Sequence, residues 1–217
     1  MGKVEDLLTR APDIMRKSLA GLDYAEFELG GIASDYKKLM DAVPFTLQEA
    51  LQIQREREVS DTTLYELNNV IRPVRRHAEK GKGARILLKD EAVNASGSLK
   101  DRRASVSVYH AQKEGYEGVI AATSGNYGAA VASQSAQRGL KCMIVQEAYD
   151  SRGIGQPEIL EKSRKCEACG VGVAINVGPG LFYWDLMLLD ETGFFNASLY
   201  TPYATKSIET LGFEIGT

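Results

Sequence analysis

Apolar positions in the first third of the chain recur at helical spacing. Val4, Leu7, Leu8, Ile14, Met15 and Leu19 fall on one face of a helix over 4–20, which Pro12 is expected to interrupt or restart. Residues 23–45 carry a mixed pattern, with a boundary expected at Leu29-Gly30-Gly31. Thr46 followed by Glu49 is a capping box and opens a helix over 47–57. Asp61 and Thr62 predict a helical stretch to about Lys80, kinked or broken at Pro73 and ended by Gly81 and Gly83. Residues 1–84 are therefore expected to form a mostly helical segment that wraps a domain or makes a subunit contact.

From residue 85 the period changes. Strands are expected at 85–89, 118–122, 141–146 and 172–177. Helices are expected at 98–115, 126–138, 156–169 and near 180–192, with Pro157 at the first position of the third. Short apolar runs separated by helices predict an α/β domain over 85–192, a parallel sheet with helices on both faces. Residues 193–217 read as a connection and a further helix. Right-handed crossovers bring the loops that follow the strands to one sheet edge, where open α/β sheets bind ligands.

Two of those loops carry candidate chemistry. The first is Asn94-Ala95-Ser96-Gly97-Ser98-Leu99-Lys100-Asp101-Arg102-Arg103. A lysine forms a Schiff base only as the neutral amine, so it needs desolvation or a neighbouring cation. The small residues before Lys100 would not crowd a planar cofactor, and Arg102 and Arg103 are placed to keep its amine deprotonated. A helix beginning near Ser98 offers free N–H groups to an anion. Alone, this stretch also suits a serine cap with Lys100 on a solvated first turn. The second loop is Thr123-Ser124-Gly125-Asn126-Tyr127-Gly128, between an apolar strand and an apolar helix. Its hydroxyls, amide and backbone donors suit a carboxylate or a phenolate oxygen, although an ordinary βα turn uses the same residues.

Together the two motifs resemble the pyridoxal-phosphate enzymes of the threonine synthase and tryptophan synthase β family, called fold type II. The resemblance implies that Lys100 holds pyridoxal 5'-phosphate covalently. It implies that Asn126 hydrogen-bonds the cofactor ring oxygen, and that Thr123, Ser124 and Gly125 bind the substrate α-carboxylate. A closer resemblance is to the β-subunit family of 2-amino-4-oxopentanoate thiolases. Leu29–Asp35, Asn94–Arg103 and Gly153–Gly170, with its Gly-Ile-Gly-Gln-Pro-Glu start, carry it. It implies coenzyme A-dependent cleavage to acetyl-coenzyme A and alanine in ornithine degradation, and a small α subunit as partner. Fold type II enzymes also cup the cofactor phosphate in a Gly-rich loop downstream of the asparagine. Nothing after Gly128 has that form, since Gly178-Pro179-Gly180 is too short. The chain is thus expected to be the N-terminal half of such an enzyme, with the C-terminal half of the fold missing. Another fold type II lyase or synthase, or a non-catalytic truncated domain, stays open at this point.

Composition adds boundaries. The 217 residues are 44% hydrophobic and 25% charged, ordinary for a globular chain, and the net charge of -3 disfavours nucleic acid as a partner. No apolar run approaches the ~18 residues of a membrane span. The N-terminus lacks a signal-peptide pattern, and three cysteines suggest reduced thiols in the cytoplasm. Cys166 and Cys169 lack partner ligands at zinc spacing and read as a helix end capped by Gly170, so no metal is expected. Gly153-Ile154-Gly155 is an incomplete dinucleotide fingerprint. His77 and His110 are expected to be solvated or interfacial, which disfavours a Ser-His-Asp hydrolase. Arg72, Arg75 and Arg76 are placed to meet coenzyme A phosphates, although a solvated helix face is the better reading.

Overall fold

The computed structural model describes residues 3–30, 33–170, 172–198 and 200–216. Helix α1 (Lys3–Ser18) runs through Pro12 without a break. The expected interruption fails because Leu7, Ile14 and Leu19 are all buried on one side. Beside them, Arg10 holds Asp190 through two bonds of 2.8 Å. Strands β1 (Glu28–Gly30) and β2 (Ala33–Ser34) pair antiparallel. The expected boundary at Leu29-Gly30-Gly31 falls partly outside the described residues, since Gly31 is not among them. Helix α2 (Tyr36–Asp41) leads to α3 (Leu47–Arg55), where both halves of the Thr46–Glu49 capping box form.

Residues 61–80 depart from the expected single helix. Leu64–Glu66 is a strand, β3, and helix α4 (Asn68–His77) starts only after it, with Pro73 inside. Strand β4 (Leu87–Lys89) pairs antiparallel with β3 and does not join the parallel sheet. The residues taken for a helix start have other partners. Asp61 accepts bonds from Arg55, the Thr62 hydroxyl bonds Glu91, and Ser60 and Asp61 hold positive φ.

The remainder follows the alternating pattern. Helix α5 (Lys100–Lys113), strand β5 (Gly118–Thr123), α6 (Asn126–Arg138), β6 (Lys141–Glu147), α7 (Pro157–Ala168), β7 (Val173–Val177) and α8 (Leu181–Thr192) come in order. A short strand, β8 (Phe195–Asn196), precedes α9 (Pro202–Gly216). The four strands β5 to β8 form a parallel sheet in the order β7-β6-β5-β8. One face packs Val119, Ala121, Cys142 and Ile144 against α5, α6 and α9. The other packs Ile120 and Val145 against Leu186 and Leu189 of α8 and Leu7 and Ile14 of α1. Strands covered on both faces lose polar alternation, which is why these runs read so clearly. Helix α6 lies close because it is built of small residues. A Cβ at Gly128 would sit 2.8 Å from Ile144 Cγ2 and 2.9 Å from Thr123 Cγ2.

Helix α5 is the most enclosed helix of polar composition, lying between α6 and α9. Its His110 is 2% exposed, stacked on Tyr203 at 4.2 Å and edge-on to Phe195. The expectation of a solvated or interfacial His110 is therefore wrong. Polar residues in α5 are neighbours of core aromatics, a fact carried by packing and not by periodicity. His77, at the end of α4, is exposed. No helix among the described residues is long and apolar enough to cross a membrane.

Candidate active site

The two motif loops meet at the carboxyl edge of the sheet. Helix α5 leads through a short turn into β5, so α5 begins where β5 ends. Helix α6 begins there as well, directly after β5, and packs against α5. Lys100 is the first residue of α5 and is half-buried. Its backbone N–H donates to Ser98 Oγ at 3.2 Å. Gly97 turns the chain into the helix with φ +76°, a conformation that favours glycine. Burial, assisted by the charge of Arg103, holds the Lys100 amine below the ordinary lysine range. The neutral form that a Schiff base requires is thereby easier to reach.

Only one of the two arginines expected to act on that amine does so. Arg102 is fully buried and turned away into a clamp of carboxylates. Its Nε and Nη2 donate to Glu91 at 2.7 and 2.8 Å, and its Nη1 and Nη2 donate to Glu214 at 2.7 and 2.9 Å. Lys89 adds a bond to Glu214 at 2.7 Å. The clamp ties α5 to β4, to the turn at Glu91 and to α9. Glu91 also accepts a bond from Asn94 Nδ2 at 2.9 Å, which anchors the start of the lysine loop. Asp101 fastens the same loop from inside, accepting bonds from Ser96 N–H at 2.9 Å and Ser96 Oγ at 2.6 Å. Burial holds its carboxyl above the usual range despite those bonds.

In the second loop, Thr123 is the buried last residue of β5, Gly125 is half-buried, and Ser124 and Asn126 are exposed. Asn126 is the first residue of α6, whose N-terminus has no side-chain cap. Its first N–H groups thus face outward for an anion. The Thr123 hydroxyl accepts from Gly125 N–H at 3.1 Å, which keeps its own proton for donation and occupies that N–H. Sequence reading missed two cations here. A Cβ at Gly125 would lie 3.9 Å from Lys162 Nζ, and one at Gly97 would lie 3.8 Å from Lys165 Nζ. One helix, α7, therefore sends a lysine to each loop. Their spacing of three was the available signal, but solvated helix faces show it equally often. Arg72, Arg75 and Arg76 are exposed on α4, with Arg72 bonded to Asn69.

Residues 58–216 match the family model described as "Pyridoxal-phosphate dependent enzyme". The chain belongs to the pyridoxal-phosphate dependent enzymes. Its similarity to curated proteins includes the "2-amino-4-ketopentanoate thiolase beta subunit" of Acetoanaerobium sticklandii, 57% identical over 96% of this chain and 45% of that protein. A threonine synthase of Bacillus sp. is 35% identical over 45% of this chain and 28% of its own length. Among solved structures, a pyridoxal 5'-phosphate-dependent aspartate racemase superposes with a TM-score of 0.63 at 19% identity, covering 79% of this chain and 51% of the racemase. The fold is that of the fold type II enzymes. The chain spans less than half the length of the thiolase subunits it matches. The two loops fit the family cofactor: an amine eased toward neutrality, small residues before it, and an uncapped helix start opposite.

Proposed function

We propose that this chain is part of a coenzyme A-dependent thiolase β subunit that cleaves 2-amino-4-oxopentanoate to acetyl-coenzyme A and alanine, working with a small α subunit. The observation that carries the reading is the 57% identity to thiolase β subunits across 96% of the chain, which includes both motif loops. Lys100 would hold pyridoxal phosphate through its amine, and Asn126 would hydrogen-bond the cofactor ring oxygen. Thr123, Ser124 and Gly125 would receive the substrate α-carboxylate. In that arrangement the Thr123 and Ser124 hydroxyls and the free N–H groups of α6 donate to the carboxylate. Lys162 adds positive charge beside Gly125. In the cleavage the coenzyme A sulfur would bond C4, the C3–C4 bond would break, and C3 would take up a proton to become the methyl group of alanine; when bound, the cofactor supplies the electron sink for the charge left on the amino-acid half. Released from the cofactor, the Lys100 amine takes up and returns the α-proton, a task suited to an amine whose affinity for protons has been lowered.

The deciding experiment is borohydride reduction of the protein as isolated, followed by peptide mapping by mass spectrometry. A pyridoxyl group on Lys100, lost in Lys100→Ala, supports the assignment. An adduct on another lysine, or turnover retained by Lys100→Ala, overturns it. A requirement for coenzyme A separates the thiolase reading from a threonine synthase-like activity, which would proceed without it.

A further inference from the structure

A cavity of about 440 Å³ opens at the carboxyl edge, on the face of the sheet opposite α5 and α6. Met15, Tyr24, Ala122, Leu181 and Phe182 give it mainly hydrocarbon walls. Ala122 immediately precedes Thr123, so the cavity reaches the same strand end from which the loop assigned to the substrate carboxylate departs, on the face opposite the one where Thr123 packs against α6. Asp185 of α8 also lines it and is 4% exposed. The Ser198 hydroxyl accepts Ala122 N–H at 3.1 Å beside Asp185. Among the described residues, Asp185 Oδ1 has no hydrogen-bond partner. A buried polar atom left unpartnered destabilises the fold, and a ligand that bonds it removes that defect. The clamp and the lysine loop make no use of Asp185.

We propose that this cavity receives the acyl end of the substrate, its walls holding a methyl group and the Asp185 carboxyl donating a hydrogen bond to the acyl carbonyl oxygen. The proposal rests on the thiolase reading and names the subsite that such a reaction needs. A carbonyl oxygen accepts but does not donate, so the carboxyl must carry its proton. Burial pushes Asp185 up to about 7, with the Ser198 hydroxyl opposing. Among the described residues, no lysine, arginine or histidine lines the cavity. Helix α1 presents Met15, and β5 presents Ala122. The 196–201 segment presents Asn196, Ser198, Thr201 and Tyr200, the last at the rim and 85% exposed. The Tyr24 phenol is kept protonated by burial. The Arg10–Asp190 ion pair lies further along α1 and α8. Two carbonyls share this chemistry, the C4 ketone of the amino acid and the thioester of the acetyl product.

The test is binding of two uncharged probes, 2-pentanone for the ketone and S-acetyl-N-acetylcysteamine for the thioester, followed by NMR on the protein as isolated. Wild type, Asp185→Asn and Asp185→Leu are compared from about pH 6 to about pH 8, either side of the value near 7. Wild-type affinity is expected to fall about tenfold across that range, the worth of one buried hydrogen bond. Asp185→Asn, which keeps a donor without a titrating proton, is expected to bind with a flat pH profile. Asp185→Leu is expected to bind about tenfold more weakly at the acidic end. Binding of one probe alone supports the subsite and identifies which carbonyl it takes. Failure of both probes to bind, or the same pH profile in wild type and Asp185→Asn, overturns the proposal. The borohydride adduct at Lys100 reports independently on the catalytic reading, so the two failures are distinguishable.

Discussion

Replacing Arg102 by Met should unfold the site from behind. The guanidinium makes four bonds of 2.7 to 2.9 Å to Glu91 and Glu214, and its side chain is fully buried. Methionine fills the space but leaves Glu91 without its cation and Glu214 with Lys89 alone. Removing one partner of a buried ion pair costs about 3–5 kcal/mol. At about 2–4 °C per kcal/mol for a domain of this size, the melting midpoint should fall by roughly 10 °C. Arg102→Lys should recover little, since an ammonium cannot fork across two carboxylates. The acid limb of the stability curve should change too. Burial alone would raise Glu214, but bonds from Arg102 and Lys89 overcome it and hold the carboxyl at about 2. A depressed carboxylate stabilises the fold above its ordinary value near 4.5, and that stability is lost as pH falls from there toward about 2. In Arg102→Met that loss should be much smaller. Circular dichroism melts at neutral and acidic pH read both effects. A midpoint within about 2 °C of wild type, with an unchanged acid limb, would refute the clamp as a major support.

Other outcomes follow from single contacts. Gly128→Ala forces a methyl to within 3 Å of Ile144 and Thr123 and should cost about 1–3 kcal/mol, seen as a lower urea midpoint with unchanged slope. Burial holds the His110 imidazole below the ordinary histidine range, with Glu114 opposing and Lys113 assisting. Stability should therefore be lost as pH falls below the free value near 6.5, and His110→Phe should remove that loss in a urea titration across pH. A His110→Phe protein that keeps the same loss would assign it elsewhere.

The central sheet was legible because β5 and β6 are buried on both faces and carry near-continuous apolar runs. The capping box at Thr46 was legible because both its members are local in sequence. The two motif stretches were legible as loops because Gly, Ser, Asn and Thr gather where an element ends. The β3–β4 pair was not, since its residues are three to a strand and mostly exposed, with no alternation to read. The proline expectation failed in α1 because side-chain burial on one face outweighs one lost backbone bond. Arg102 and Arg103 are adjacent and identical in type, and only packing distinguishes the clamp residue from the one beside Lys100. Asp185 is silent in the sequence because an acid flanked by apolar residues carries no spacing signal.

The Arg102 clamp also sets an order of events in time. Arg102 and its partner Glu214 are 112 positions apart. A chain made from its N-terminus exposes the start of α5 long before α9 exists. Until then the guanidinium lacks half of its partners, and closing so long a segment carries an entropic cost that only the finished contact repays. The helix end that carries Lys100 is thus fastened in two stages, first to Glu91 close by in sequence and then to Glu214 once α9 has packed.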